Sequence, residues 1–297
     1  MDTQPQKALL KEWFKLLRWN KPSGRLILLI PAGWSLWLTP SIPPSNSLIA
    51  LIILGGIFVS GAGCIANDIW DRNFDRQVKR TQNRPLAQKS IKVSTALCML
   101  LILLLLSLLT LLFLPVSSQK ICFKLALIAI LPILIYPSAK RWFTYPQFIL
   151  AICWGFSVLI PWAASESSLY GGFPLLLCWL ATMLWTFGFD TVYAMSDKED
   201  DKRIGLNSSA IGLKDNVHIV VSISYFLTSL FLGFAGYFAG VKLIFWFIWF
   251  LTSIIMQVEI WKMDILSANN EEYSKHFGNQ VLIGSLFLFG LIIGRIS

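Results

Sequence analysis

Residues 47–75 read SLIALIILGGIFVSGAGCIANDIWDRNFD, and this stretch decides the fold class. Residues 47–66 carry no charged side chain, so they are long and apolar enough to cross a bilayer as one helix. Three aspartates follow directly behind that apolar run, within residues 67–75. The stretch therefore predicts a helical membrane protein that places a polar site at one end of a spanning helix.

The composition of the whole chain agrees with this prediction. Of its 297 residues, 56% are hydrophobic and 14% are charged, whereas soluble domains have roughly 45–50% and 25%. We predict an all-α, polytopic chain that forms a single transmembrane domain over residues 1–297. Its nine spans are expected at about 25–39, 47–66, 94–115, 121–137, 147–164, 173–195, 217–240, 243–258 and 280–296.

The basic residues predict the orientation of these spans. If the N-terminus is cytoplasmic, all but four of the 25 Lys and Arg residues lie on the cytoplasmic side, in residues 1–25, 67–93, 138–146, 196–214 and 259–279. This bias explains the net charge of +9 better than nucleic-acid binding does. With eight helices, the connections rich in basic residues would no longer all lie on the same side of the membrane. The polar, amphipathic start of the chain does not predict a cleaved signal peptide.

A second acidic stretch, DTVYAMSDKEDD, lies at residues 190–201. Four predicted helices separate it from the first, so both stretches are expected on the same side of the membrane. The arrangement suggests a diverged repeat of helices 1–4 and 5–8, followed by a ninth helix.

Helical spacing brings the acids of each stretch together. Asn67, Asp71 and Asp75 are spaced i, i+4 and i+8, which spreads them over only about 80° of a helix. The second stretch predicts a similar narrow face, formed by Asp190, Tyr193, Asp197 and Asp201. Glu199 and Asp200 point elsewhere on the helical wheel and are expected at the surface.

Acids repeated on one face near a membrane destabilise the chain unless a cation lies between them. Mg²⁺ suits this role, because it takes carboxylate oxygens and leaves positions for water and substrate phosphates. We expect its ligands among Asn67, Asp68, Asp71, Asp75, Asp197 and Asp201. The alternative is that these acids are solvated helix ends. No EF-hand spacing supports a calcium site.

Basic residues beside the acids suggest binding of a diphosphate, whose charge they would stabilise. The positive-inside bias would also place cations in these loops. Including one amide and one phenol, the expected substrate-binding residues are Asn67, Arg72, Arg80, Arg84, Lys140, Arg141, Tyr193 and Lys202.

Other chemistries lack support. The chain has two histidines and no phosphate-binding GxxxxGK[ST] loop, GxGxxG or GxSxG motif, and its five cysteines form no CxxC. A zinc protease, an ATPase and a serine hydrolase are therefore not expected. A secondary transporter remains an alternative, since intramembrane acids are common there.

The two motifs, NDIWDRNFD at 67–75 and DKEDD at 197–201, resemble those of the UbiA superfamily of membrane prenyltransferases. The stretches KPSG at 21–24, RTQNRPLA at 80–87, YPSAKRW at 136–142 and KHFGNQ at 275–280 are similar to its 4-hydroxybenzoate polyprenyltransferase branch. The chain departs from the family pattern at Arg25, where a small or hydroxyl residue is common, and at Asn207, where a lysine is common.

The resemblance implies nine helices around a central cavity and Mg²⁺-dependent transfer of a polyprenyl group from its diphosphate to 4-hydroxybenzoate. The product would feed ubiquinone or plastoquinone synthesis in a bacterial or cyanobacterial inner membrane. Homogentisate is an alternative acceptor. Arg25 or Arg72 would pair with the acceptor carboxylate, and Asp190 or Asp75 would take the ring proton. The catalytic acids implied are Asp71, Asp75, Asp190, Asp197 and Asp201.

Overall fold

A computed structural model describes residues 3–296 of the chain, with side chains from residue 9 onward. The described residues form α-helices joined by turns and short 3₁₀ segments, and they contain no strand. The helices are α1 (Thr3–Leu16), α2 (Ser23–Leu38), α3 (Asn46–Asp71), α4 (Val93–Leu111), α5 (Val116–Ala139), α6 (Pro146–Glu166), α7 (Gly172–Ala194), α8 (Lys198–Ile204), α9 (Ser209–Gly212), α10 (Val217–Ala239), α11 (Leu243–Trp261) and α12 (Asn270–Ile296).

Eight segments in this described part are long and apolar enough to cross a membrane, each built around one of α3–α7 and α10–α12. The first predicted span is also a helix, α2, but it has only 16 residues. At 1.5 Å per residue it is about 24 Å long, shorter than a typical hydrocarbon core. The predicted helical membrane architecture is therefore confirmed, and α2 is the short member of the set.

The last helix begins ten residues earlier than predicted, at Asn270 rather than residue 280. Asn269 explains the difference. Its side-chain oxygen accepts hydrogen bonds from the backbone N–H groups of Glu271 and Glu272, at 2.9 and 3.0 Å. The Glu272 carboxylate accepts from the Asn269 backbone in return, at 2.8 Å. This reciprocal cap stabilises the polar first turn, which hydropathy alone does not detect.

The main core lies where α2, α7 and α12 meet, with α6, α10 and α11 packed around them. Trp34 and Trp185 pack at a ring-centroid distance of 4.9 Å, and Phe287 meets Trp34 edge-on at 6.4 Å. Both indole nitrogens have acceptors: the Gly284 carbonyl for Trp34 and the Gln280 side chain for Trp185. Because both indole N–H groups have acceptors, the two large rings are buried without leaving a donor unpaired. The outward sides of α4, α5 and α11 expose Leu and Phe side chains, as expected of helices that face lipid.

A second core holds the connection between α3 and α4, residues 72–92, against the bundle. Leu86 and Ile91 from this connection are buried with Leu16 of α1 and Ile65 of α3. Burial of these apolar side chains orders a loop that is otherwise rich in charge. The loop can therefore hold polar groups in defined positions over the end of α3.

Candidate active site

The two acidic stretches are not continuous helices, which corrects the prediction of two straight acidic faces. Helix α3 ends at Asp71, and Asp75 begins a 3₁₀ turn in which the Val78 N–H bonds to the Asp75 carbonyl. Helix α7 ends at Ala194, and a 3₁₀ turn leads into α8. The acids converge because turns and ion pairs fold them together, so helical spacing alone does not account for their positions.

Asp68 is the most deeply buried acid of the first stretch, with 1% of its surface exposed. Arg18, which follows α1, donates to it at 2.6 Å. Arg84, from the α3–α4 loop, lies 3.2 Å from Asp68 and 3.0 Å from both oxygens of Asp75. Arg84 thus bridges two acids of the first stretch. The resulting pairing compensates charges that burial would otherwise disfavour.

Asp71 meets cations from another element. Lys140 and Arg141, in the turn after α5, reach its two carboxylate oxygens at 3.6 and 3.2 Å. Arg141 also lies over the ring of Phe74, 4.8 Å from its centroid. These contacts join the end of α5 to the end of α3.

Arg80 connects the two acidic stretches. Its Nε donates to Asp197 at 2.9 Å, its Nη2 donates to the second oxygen of the same carboxylate, and its Nη1 donates to the Tyr193 hydroxyl at 2.9 Å. Asp200 adds a contact by accepting from the Lys79 backbone at 3.0 Å, so it is not the freely solvated residue that was expected. Glu199 is exposed, as expected. Both acidic stretches therefore lie at the same end of the bundle, as predicted.

Burial and neighbouring charges shift the pKa values of two loop residues at this end, Asp75 and Lys140. Burial, reinforced by Asp68 and Asp71, raises the pKa of Asp75 above its usual value despite the opposing charge of Arg84. For Lys140, burial alone would lower the pKa. The charges of Asp71, Asp201 and Asp197 outweigh this effect, so the pKa of Lys140 is raised. Lys140 is accordingly held in its cationic form.

A cavity of about 580 Å³ opens beside these groups. Six of the predicted residues line it: Arg25, Asn67, Arg80, Arg84, Asp190 and Tyr193. A smaller cavity of about 120 Å³, lined almost entirely by apolar side chains, lies next to it. The two share Leu28, Val59, Ile133 and Cys153 in their walls. The space is thus polar and charged at one end and apolar at the other.

The predicted metal ligands are not gathered around one point. Within residues 3–296, no three His, Cys, Asp or Glu side chains are close enough together to hold one ion. Arg80, Arg84 and Lys140 instead form ion pairs with four of these acids, Asp197, Asp68, Asp75 and Asp71. The donor set nevertheless fits Mg²⁺, because it consists of carboxylate and amide oxygens. Asp201 supports this fit, since it is only 5% exposed and has no ion-pair contact in the described chain.

Four predicted substrate-binding residues do not line the cavity, and two of them, Lys140 and Arg141, contact Asp71 instead. Arg72 donates to the Ile69 carbonyl at 2.6 Å and does not line the cavity, and Lys202 is exposed on α8. The sequence reasoning also missed two residues. Tyr136 lines the cavity and lies within the YPSAKRW stretch, which offered a signal. Arg18 follows the amphipathic N-terminal segment, where no motif marks it.

The chain is similar to known prenyltransferases. The UbiA prenyltransferase family matches residues 28–287. The chain is 39% identical over 280 residues to a 4-hydroxybenzoate solanesyltransferase of Synechocystis, covering 94% of each chain. It is 38% identical over 224 residues to a 4-hydroxybenzoate octaprenyltransferase of Legionella pneumophila, covering 75% of this chain and 77% of that one.

Solved structures show the same fold. A UbiA homologue from Aeropyrum pernix superposes with a TM-score of 0.75 at 21% identity, covering 90% of this chain and 97% of that one. A homologue from Archaeoglobus fulgidus, bound to GPP and Mg²⁺, has a TM-score of 0.69 at 18% identity, covering 96% and 100%.

Proposed function

The chain belongs to the UbiA prenyltransferase family, and from this membership we propose that it transfers an all-trans polyprenyl group to the ring of 4-hydroxybenzoate. The donor is a polyprenyl diphosphate, and the products are 3-polyprenyl-4-hydroxybenzoate and diphosphate. Relatives that match nearly the whole chain carry 4-hydroxybenzoate polyprenyltransferase names, which supports this acceptor over homogentisate. The reaction is a step in ubiquinone or plastoquinone synthesis. Membership of a prenyltransferase family also argues against the alternative function, that of a secondary transporter.

The observation that best supports the proposal is that the cavity has a charged end and an apolar end. Arg80 and Arg84 lie at its charged end, and its wall continues through Leu28 and Ile133 into an apolar space. A polyprenyl diphosphate has the same division, with a charged head and a long hydrocarbon tail. Charge-assisted hydrogen bonds would hold the head, and burial from water would hold the tail.

Mg²⁺ is the metal that this donor set favours. Asn67, Asp68, Asp71, Asp75, Asp197 and Asp201 are its candidate ligands. Bound there, the ion would draw charge from the diphosphate and make it a better leaving group. Because Arg80 and Arg84 hold three of these acids in the present arrangement, ligand binding would require the arginines to turn from carboxylates to phosphate oxygens. Both groups are oxyanions that arginine binds through paired N–H donors.

The chain's own residues suffice for the remaining steps. Arg80, Arg84 and Lys140 stabilise the charge that develops on the departing diphosphate. The aromatic faces of Phe189, Tyr193 and Phe277 line or border the same space and suit the allylic cation that the prenyl group becomes.

The acceptor's own hydroxyl activates the ring, so the carbon beside it attacks the allylic cation without a protein nucleophile. A base must then remove one ring proton to restore aromaticity. Asp190 is the acid of the second stretch that lines the cavity, and it is placed to take this proton. Asp75 is instead held by Arg84.

Polyprenyl transfer to ring-labelled 4-hydroxybenzoate in membranes tests the function, with mass spectrometry of the product and homogentisate as a competing acceptor. Chelation with EDTA should abolish transfer, and added Mg²⁺ should restore it. Asp71→Ala and Asp197→Ala should lose activity, whereas the exposed acid Asp215 provides a matched control as Asp215→Ala. Transfer that persists in EDTA, or in both active-site variants when correctly inserted, would refute the metal mechanism.

The chain is an integral membrane protein. Its bacterial relatives support an inner (plasma) membrane location, and its charge distribution supports an orientation with the N-terminus and the active-site loops in the cytoplasm. Lys140, Arg141 and the α3–α4 loop all lie at the active-site end, where this orientation requires cations. Reaction of single engineered cysteines with a membrane-impermeant reagent in intact cells would test it. Labelling of position 89 in intact cells, without lysis, would contradict this orientation.

A further inference from the structure

One arginine of the cavity wall has no carboxylate partner. Arg25 lies in the first turn of α2 and is 7% exposed. Its Nη2 donates to the Leu17 carbonyl, but its Nε and Nη1 are buried without a partner in the described chain. A guanidinium carries five N–H donors, and leaving them buried and unpaired is unfavourable. This arrangement is therefore incomplete unless an acceptor arrives.

The other arginines that line the cavity differ from Arg25. Arg18 is paired with Asp68, Arg80 with Asp197, and Arg84 with Asp75. Among the described residues, Arg25 makes no salt bridge at all, although it lines the same space. A buried charge without a counter-ion favours an anionic ligand over a neutral one.

Trp19 restricts how such a ligand can approach. The Cζ of Arg25 lies 3.8 Å from the centroid of the Trp19 ring, which covers one flat face of the guanidinium. The ring itself is 45% exposed, so it can shift without disturbing a packed core. With a face covered, the N–H donors in the guanidinium plane are the ones left to bind. Paired in-plane donors match the two oxygens of a planar carboxylate.

The proposed reaction brings two anions into one cavity. The diphosphate is accounted for by Arg80 and Arg84 beside the acidic stretches, which leaves the carboxylate of 4-hydroxybenzoate without a partner. Of the two candidates that the sequence offered for it, Arg72 does not line the cavity and Arg25 does.

We propose that Arg25 binds the acceptor carboxylate and makes the enzyme select acceptors with a negative charge on the ring. The inference rests on the proposed function. With the carboxylate held beside α2, the position next to the ring hydroxyl is directed towards the diphosphate end. Arg25 is in this sense a specificity-determining residue.

The test compares 4-hydroxybenzoate with 4-hydroxybenzamide, which keeps the ring and hydroxyl but lacks the charge. Replacing Arg25 by glutamine should raise KM for 4-hydroxybenzoate by about 10- to 100-fold, the usual scale for a lost hydrogen-bonded charge contact. KM for the amide and for the polyprenyl diphosphate should change by less than about 3-fold, since neither uses the charge of Arg25. Preference for the acid over the amide should fall accordingly.

Arg295 supplies a matched control. It is also an arginine with a buried, unpaired Nε, it donates to the carbonyls of Ala239 and Thr39, and it lines neither cavity. Arg295→Gln should therefore reproduce the structural cost of losing such a side chain while leaving the preference for the acid unchanged. If the Arg25→Gln variant does not insert into the membrane, Arg25→Lys can replace it. This variant keeps the positive charge and should show a partial loss of preference for the acid over the amide.

Each outcome decides the inference. Failure of the wild-type protein to prenylate 4-hydroxybenzoate would refute the proposed function itself. If the wild type is active and Arg25→Gln keeps its preference for the acid, only the role of Arg25 is wrong. A rise in KM for the diphosphate with no change for the acceptor would likewise overturn it, because Arg25 would then bind the donor.

Discussion

Replacing Arg80 by lysine separates the effect of its charge from the effect of its geometry. Arginine at this position makes three directed contacts, two to Asp197 and one to the Tyr193 hydroxyl. Lysine keeps the positive charge but has a single nitrogen, which cannot reach both partners in the same way. The same paired N–H donors would bind phosphate oxygens of the diphosphate once Arg80 turns from Asp197, so Arg80→Lys should impair transfer even though the charge remains.

The magnitude follows from burial. The side chains of Arg80 and Asp197 are 19% and 12% exposed, so water screens their contact weakly. Losing one hydrogen bond to a charged partner in such a setting costs about 1.5–3 kcal/mol. That corresponds to a decrease in kcat/KM of about 10- to 150-fold, because each 1.4 kcal/mol is a factor of about ten. The Tyr193 hydroxyl contributes a weaker contact, so Tyr193→Phe should lower kcat/KM by about 2- to 12-fold.

The assay is the initial rate of polyprenyl transfer at varied diphosphate concentration, in membranes with matched amounts of inserted protein. Arg203 offers the control, because its ion pair with Asp200 is exposed and exposed pairs contribute at most about 1 kcal/mol. Arg203→Lys should therefore change kcat/KM by less than about 5-fold. An Arg80→Lys enzyme as active as the Arg203→Lys control would refute the view that directed contacts, rather than charge, organise the site.

Three further predictions concern stability. Glu259 accepts hydrogen bonds from three side chains of α12, so Glu259→Gln should lower the free energy of unfolding by about 1–3 kcal/mol, measured by thermal unfolding in detergent; an unchanged Tm would contradict it. A Cβ at Gly188 would lie 2.5 Å from the Tyr225 ring, so Gly188→Ala should destabilise by about 1–3 kcal/mol. By contrast, Gly278→Ala meets nothing within 4 Å and should stabilise the helix by up to about 1 kcal/mol; equal effects of the two alanines would show that the packing argument is wrong. Burial raises the pKa of Asp75 above its usual value in the folded protein, so the stabilising contribution of the protonated carboxyl is fully present below the usual value and is lost as pH rises through the raised pKa. Asp75→Asn should flatten the fall in stability across that window, and a variant with the wild-type pH profile would count against the raised pKa.

The sequence predicted the architecture well because hydropathy is a local property. Predicted and observed spans agree within a few residues for α6, α7 and α10, where apolar runs end at charged or turn-forming residues. The prediction was less accurate for α12, since its first turn is polar and depends on a capping interaction by Asn269. It failed for the shape of the acidic stretches. Helical spacing assumed that α3 continues to Asp75, but the chain leaves the helix after Asp71 to meet Arg84.

The basic residues show a different limit. Their positions along the chain placed them beside the acids, but could not separate those that line the cavity from those that do not. Arg80 and Arg84 line it, whereas Arg72 and Lys202 do not. The distinction depends on how the α3–α4 loop folds back over the bundle, which burial of Leu86 and Ile91 decides.

By itself, the sequence determined that this is a helical membrane protein, that two acidic stretches lie at one end of it, and that its motifs resemble those of prenyltransferases. These conclusions depend on composition, periodicity and motif spacing, all of which can be read along the chain. Only the tertiary structure decided which cation faces which acid, because Arg80 and Asp197 are 117 residues apart and meet only after the helices pack. It likewise distinguished Arg25 from Arg72, since a buried charge without a partner is a property of the folded surroundings and not of the residue.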